Sequence, residues 1–188
     1  MKRRHYLGAT TATLAGLAGC LGDPEYSIAS VSGPETAGSL AFEVTVADAG
    51  ITVDSPGSLA LTLRNDGEEA VEIRTPGVWP FGMVTLISTD DSEWRTLLLT
   101  DGYAETDRIE VTANSVNQNN TPIVRALAAG ESVTERYVVD GKRLQGDGTY
   151  VLDGYFKDGL CSYRTGDGEW SVLRPEVSVT VSKRALLP

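Results

Sequence analysis

The sequence is nearly without histidine. His5 is the only one among 188 residues, and it lies in a stretch that reads as a removable leader. The body that follows has no imidazole, which excludes Ser-His-Asp and Cys-His catalysis, His-ligated zinc and His-held haem. Cysteine is almost as scarce, with Cys20 and Cys161 alone. Beyond the leader, lysine is confined to Lys142, Lys157 and Lys183, so a buried lysine activating a serine has few candidates. Long apolar runs are missing as well. Leu7 to Gly19 is interrupted by glycine and threonine and falls short of the roughly 20 apolar residues a membrane-spanning helix needs. A glycine-rich phosphate loop is also absent. Gly146-Asp147-Gly148 leads into a strand pattern, and its aspartate would repel phosphate.

What is present begins with the leader. Lys2, Arg3 and Arg4 precede the short apolar stretch, the order of a secretory signal. Arg3-Arg4-His5-Tyr6-Leu7 resembles a twin-arginine export signal, which implies export of an already folded protein. Leu17-Ala18-Gly19-Cys20 resembles a lipobox. That resemblance implies cleavage before Cys20, whose thiol accepts lipid and which becomes the new N-terminus. One acyl chain anchors only marginally, so a stable anchor needs two. The competing reading is an ordinary secreted protein in which Cys20 is incidental. The expected organisation is a signal with lipobox over 1–19, a lipidated tether over 20–25, a body over 26–183 and a tail over 184–188. The expected partner is the membrane, through lipid on Cys20, on its extracytoplasmic face.

The formal net charge is −10. The leader carries three cations and no acid, so the remainder holds 13 cations against 26 carboxylates, a net −13. Self-repulsion at that charge opposes compactness unless salt screens it, and the Debye length falls to about 3 Å at 1 M salt. With the leader, this composition resembles the envelope lipoproteins of halophilic archaea, specifically over residues 1–22 and by composition beyond. An acidic surface protein of an ordinary microbe is the plainer alternative. Nucleic acid is not an expected partner, because a duplex would be repelled. If Cys20 carries lipid, Cys161 has no disulfide partner within the chain. It reads as a small buried hydrophobe, since Leu160, Ser162 and Tyr163 offer no base to activate it.

Period-two alternation dominates the body. It runs through Leu40, Phe42, Val44 and Val46, through Leu59, Leu61 and Leu63, through Val71 and Ile73, and through Val177, Val179 and Val181. Tyr26, Ile28 and Val31 suggest a first edge strand. Asn65-Asp66-Gly67-Glu68 separates two runs and reads as a hairpin turn. Asp-Gly recurs seven times as a turn candidate. Further strands are expected over 82–88, 94–99, 107–112, 132–139, 149–156 and 169–173, with a polar loop over 114–121. Residues 122–129 fit a strand or one helical turn. No helical period or fixed repeat follows the leader. The pattern predicts an all-β fold, an immunoglobulin-like antiparallel β-sandwich. Asp147-Gly148-Thr149-Tyr150 resembles the strand entry of immunoglobulin-like domains, where a tyrosine hydroxyl bonds back to the backbone. Leu127-Ala128-Ala129-Gly130-Glu131-Ser132 is also common in such sandwiches. Together with the hairpin, the Gly-Thr-Tyr entry resembles the Ig-like proteinase-inhibitor family of bacilli. That resemblance bears on fold alone and carries over no inhibitory residues.

Few residues suggest chemistry. Asp90, Asp91 and Glu93 lie together, and Asp101, Glu105 and Asp107 follow, but neither set has the offsets of a calcium loop. Both read as solvated surface, so no metal and no cofactor is expected. A carboxylate pair serving a hydrolase is a third-ranked reading. The prolines of Arg74-Thr75-Pro76-Gly77-Val78-Trp79-Pro80-Phe81 stiffen a loop that would either display Trp79 and Phe81 as a recognition tip or fold them back as a plug. Trp94 and Trp170 sit in alternating contexts and read as core. Asn119-Asn120-Thr121 is a glycosylation sequon at Asn119, followed by Pro122. The leading expectation is a non-catalytic binding module with an envelope protein as partner. A structural acidic envelope protein without a specific partner is the second.

Overall fold

The computed structural model describes residues 25–184 except 53, 91–93, 113–114, 120 and 157–158. Arg3, Arg4, Cys20 and the leader boundary lie outside the described residues. The strands are β1 (Tyr26–Val31), β2 (Glu35–Ala37), β3 (Leu40–Asp48), β4 (Gly50–Ile51), β5 (Gly57–Asn65), β6 (Val71–Pro76), β7 (Val84–Ser88), β8 (Arg95–Leu97), β9 (Ile109–Val111), β10 (Val116–Gln118), β11 (Pro122–Leu127), β12 (Ser132–Val139), β13 (Gly148–Gly154), β14 (Cys161–Thr165), β15 (Ser171–Leu173) and β16 (Ser178–Lys183). Two 3-10 turns, Asp101–Tyr103 and Gly141–Arg143, complete the elements.

The expected all-β sandwich of antiparallel sheets is what forms. One sheet has the order β4-β1-β16-β13-β7-β8, a second β12-β5-β3-β2, a third β11-β6-β14-β15, and β9-β10 is a small ribbon. The first two sheets are joined at each margin of the first, one join reaching β12 and the other the inner strand β3. Leu99 exchanges backbone hydrogen bonds with Val138 of β12, and the chain passes from β3 into β4 within two residues. The alternating residues supply the core. Leu59, Leu61 and Leu63 of β5 are fully buried beside Phe42 of β3 and Val179 and Val181 of β16. Each such leucine contributes about 1.5–3 kcal/mol. On the wet face of the same ribbon the Thr62 and Thr134 hydroxyls bond at 2.8 Å.

Asn65–Glu68 is not a hairpin. β5 and β6 belong to different sheets, and β11 and β12 make the same crossing beside them, β11 on β6 and β12 on β5. One antiparallel ribbon therefore bends from one sheet into the next. The Asn65 side chain, buried at the bend, holds it there. Its amide nitrogen donates to the carbonyls of Glu69, Leu127 and Ala128 at 2.7, 3.0 and 3.2 Å, and its oxygen accepts from Gly67 N–H at 3.0 Å. Its backbone pairs with Glu131 and Gly130. Asn-Asp-Gly chemistry does turn the chain, but the amide spends itself on the neighbouring crossing rather than on a return strand.

The tyrosine corner is present: the Tyr150 hydroxyl donates to the Gly146 carbonyl at 2.7 Å. Residues 122–127 are strand, settling the open alternative. Part of the expected loop over 114–121 is β10, paired with β9. Asp153-Gly154 lies inside β13 and is no turn. Trp94 is not core; it precedes the short margin strand β8 and is 46% exposed. Trp170 also lies outside the core proper, half-buried on the outer face of the third sheet against Arg74 and Arg164.

Candidate functional site

The loop between β6 and β7 folds inward. Gly82 N–H bonds to the Val78 carbonyl at 2.8 Å, and the Tyr137 hydroxyl donates to the Gly82 carbonyl at 3.3 Å. Phe81 is thereby 1% exposed and packs edge-on to Phe42 at 5.5 Å. The recognition-tip reading of Phe81 is corrected: it is the plug. Trp79 is partly buried, and the guanidinium of Arg125 lies 5.6 Å from its ring centre.

The outer face of the third sheet is more distinctive. In an antiparallel sheet, opposed residues share a face. Register therefore places Val124, Arg74, Ser162 and Val172 in one row, and Ala126, Glu72 and Arg164 in the next. Arg164 Nε meets Glu72 Oε2 at 2.6 Å. Trp170 sits within 4.4 Å of the Arg74 guanidinium and 4.6 Å of that of Arg164. Guanidinium planes hold well against an indole ring, by charge on the π face and by stacking. The Arg74 side chain is thus fixed while it makes no ion pair among the described residues.

At the Pro76 and Pro122 end of this face opens a cleft of about 560 Å³. Arg74, Arg174, Ser162 and Gln118 give it polar groups; Phe81, Met83 and Leu160 lie beneath. Its outer wall is Tyr155 and Phe156, whose rings meet edge to face at 5.1 Å. Two glycines make the wall. A Cβ on Gly154 would stand 2.0 Å from the Gly159 carbonyl oxygen, so only glycine lets β13 end against the returning chain. Gly159 has φ +74°, the left-handed region. Cys161 also borders the cleft, yet it is 3% exposed, and burial pushes its thiol up to about 12. It stays protonated at neutral pH and is not poised as a nucleophile.

Tyr155 borders a second cleft, of about 540 Å³. Trp94, Arg95, Lys142 and Arg143 face it. Arg95 Nη1 donates to the Tyr155 carbonyl at 3.0 Å, and the Arg143 backbone is tied by the Thr96 hydroxyl at 2.9 Å. Arg143 approaches Asp140 at 3.8 Å. The two clefts thus gather five cations, with no carboxylate among their described lining residues. Among their described lining residues neither presents the carboxylate pair a glycoside hydrolase uses.

A family model described as a domain of unknown function, DUF8130, matches residues 1–188. The chain belongs to the DUF8130 family. A comparison with curated proteins found no match. In this DUF8130 member, sequence reasoning singled out Trp79 and Phe81 and missed Arg74, Arg95, Tyr155 and Phe156. Only the adjacent Lys142-Arg143 pair hinted at a local excess of positive charge. Asn119 is exposed, and its Oδ1 accepts from the Thr121 N–H and hydroxyl at 2.9 and 2.8 Å. Among the described residues, no three acid, cysteine or histidine side chains gather as a metal set.

Proposed function

We propose that the chain is a lipid-anchored, extracytoplasmic binding module without catalytic activity, held to the membrane through Cys20. It engages an anionic envelope partner through the face around Tyr155. One observation carries this reading: five of the 13 cations beyond the leader converge on two adjoining clefts, beside exposed aromatic rings, in a chain with 26 carboxylates. Arginine, tryptophan and tyrosine are the side chains that dominate binding energy at protein interfaces. At contact range these cations act directly on a ligand, while carboxylates farther than about 10 Å are screened at 0.1 M salt. The protonated Cys161 and the body's lack of histidine support a non-catalytic role.

The test uses the full chain in its own cells, with a photo-crosslinking residue at the exposed Phe156. A specific adduct is expected in the membrane fraction, and the double variant Arg95→Glu, Lys142→Glu should lose it while folding as before. With Cys20→Ser the protein should leave the membrane fraction. An adduct insensitive to the charge reversals removes the binding face; a normally processed, membrane-bound Cys20→Ser protein removes the anchor.

A further inference from the structure

We infer that the cleft between Arg74 and Phe156 is a receptor for a single carboxylate carried on an apolar group. The inference rests on the binding-module reading and names the ligand chemistry of one of its two clefts. The polar end is prepared in advance. Trp170, 4.4 Å from the Arg74 guanidinium, restricts that side chain before any ligand arrives, so less freedom is lost on binding. The planar guanidinium fork matches a carboxylate in two parallel hydrogen bonds. Arg174 and Ser162 line the same end.

The other end is apolar. Phe81, Met83 and Leu160 lie beneath it, while Phe156 and Val172 at the rim are 45% and 49% exposed. Large apolar side chains left in water beside a shaped cleft gain by being covered. The volume of about 560 Å³ falls in the range of small-molecule sites, roughly 300–1,000 Å³. Net charge selects among anions. A chain at −13 beyond the leader repels a ligand in proportion to the ligand's own charge, so a monoanion meets less opposition than phosphate or a polyanion. The second cleft holds three cations, with Leu97 and Val116 as its aliphatic lining, and is not included.

A carboxylate on an apolar group has two natural sources, a small organic acid or the C-terminus of a protein ending in an apolar residue. Purified full-length chain is titrated by calorimetry with 4-phenylbutyrate, its amide, 4-phenylbutylamine and inorganic phosphate. A short Gly/Ser peptide ending in Phe is added, with free or amidated terminus. The acid should bind at least about tenfold more tightly than the amide or the amine, the scale of one charge-assisted hydrogen-bonded pair. Arg74→Gln should erase that preference and leave the amide unchanged. Phe156→Ser, at an exposed position where folding is not at stake, should weaken acid and amide alike. A free-terminus peptide binding more tightly than 4-phenylbutyrate assigns the ligand to a chain end, and the reverse assigns it to a small acid. Equal binding of acid and amide, no effect of Arg74→Gln, tighter binding of phosphate, or no binding of acid or peptide overturns the inference. The charge-sensitive adduct on cells would survive that failure and keep the binding module standing.

Discussion

The bend at Asn65 and the face around Tyr155 use polar side chains in opposite ways. At the bend, one buried amide serves four backbone partners and leaves none of its own groups over. On the face, Arg74 rests on an indole and Arg95 donates to the Tyr155 carbonyl, and neither meets a carboxylate among the described residues. The first arrangement is what a buried polar group must do to exist at all, since an unmade bond there costs its desolvation. The second leaves hydrogen-bonding capacity unspent in a place a ligand can reach. The bend thus supplies stability, and the face holds capacity in reserve for binding.

The largest effect should come from breaking the bend. Asn65→Ala strands the Leu127 carbonyl in the interior and takes the amide from the part-buried Glu69 carbonyl and Gly67 N–H, while the Ala128 carbonyl keeps its bond from Glu131 N–H. At about 1–3 kcal/mol for each buried group left unpaired, with water recovering some, the loss should be ~3–5 kcal/mol by urea unfolding. Asn65→Asp keeps the acceptor for Gly67 but aims a carboxylate at three carbonyls, and should be no better. A loss below about 1 kcal/mol would mean that the bend is held by the ribbon and not by the amide.

Alkaline pH sharpens the contrast from beneath the cleft. Burial raises the Cys161 thiol from 9.0 to about 12. Burial also raises Tyr103 and Tyr137 above their usual 10.0, with the Glu135 charge adding to both. Each group is neutral when protonated, and the fold favours that form. Their stability contribution is complete below pH 9. Above it the unfolded thiol ionises while the folded thiol keeps its proton, so stability falls as pH rises, by up to about 1.4 kcal/mol per pH unit per group. The tyrosines join above pH 10. Urea midpoints at pH 8 and pH 9.8 should separate, and Cys161→Ala, whatever its cost at pH 8, should flatten the slope between them. An unchanged slope would show a thiol already open to water.

Side-chain alternation made the sheets readable in advance, and the corner at Tyr150 was readable through the resemblance of Asp147-Gly148-Thr149-Tyr150 to the strand entry of immunoglobulin-like domains. Alternation does not say which sheet a strand joins. Asn65-Asp66-Gly67 looks the same whether the chain returns beside itself or crosses over, and only the distant Leu127 and Ala128 carbonyls decide it. It also does not say which face a neighbour covers. Phe81 was drawn inward by Phe42 and Tyr137, remote in sequence, whereas Trp94 stands beside a three-residue strand at a sheet margin. The candidate face was hardest to see, because Arg74 on β6, Arg95 on β8, Arg174 just after β15 and Lys142 and Arg143 in a 3-10 turn are remote in sequence and come from two different sheets.

The smallest effect belongs to the face itself. Trp94 is 46% exposed, so Trp94→Ala removes a ring that keeps much of its contact with water in either state. Surface substitutions away from caps and networks stay within about 0.5 kcal/mol, and Trp94→Ala should unfold in urea near the wild-type midpoint. Arg74→Gln should do likewise, since the stacking it loses on Trp170 is worth about 0.5–1 kcal/mol where solvent reaches. If either change instead costs as much as Asn65→Ala, the face is bearing the fold. Arg74 and its indole would then be holding the structure together, and the distinction between a region that holds the molecule together and one that waits for a ligand would fail where it matters most.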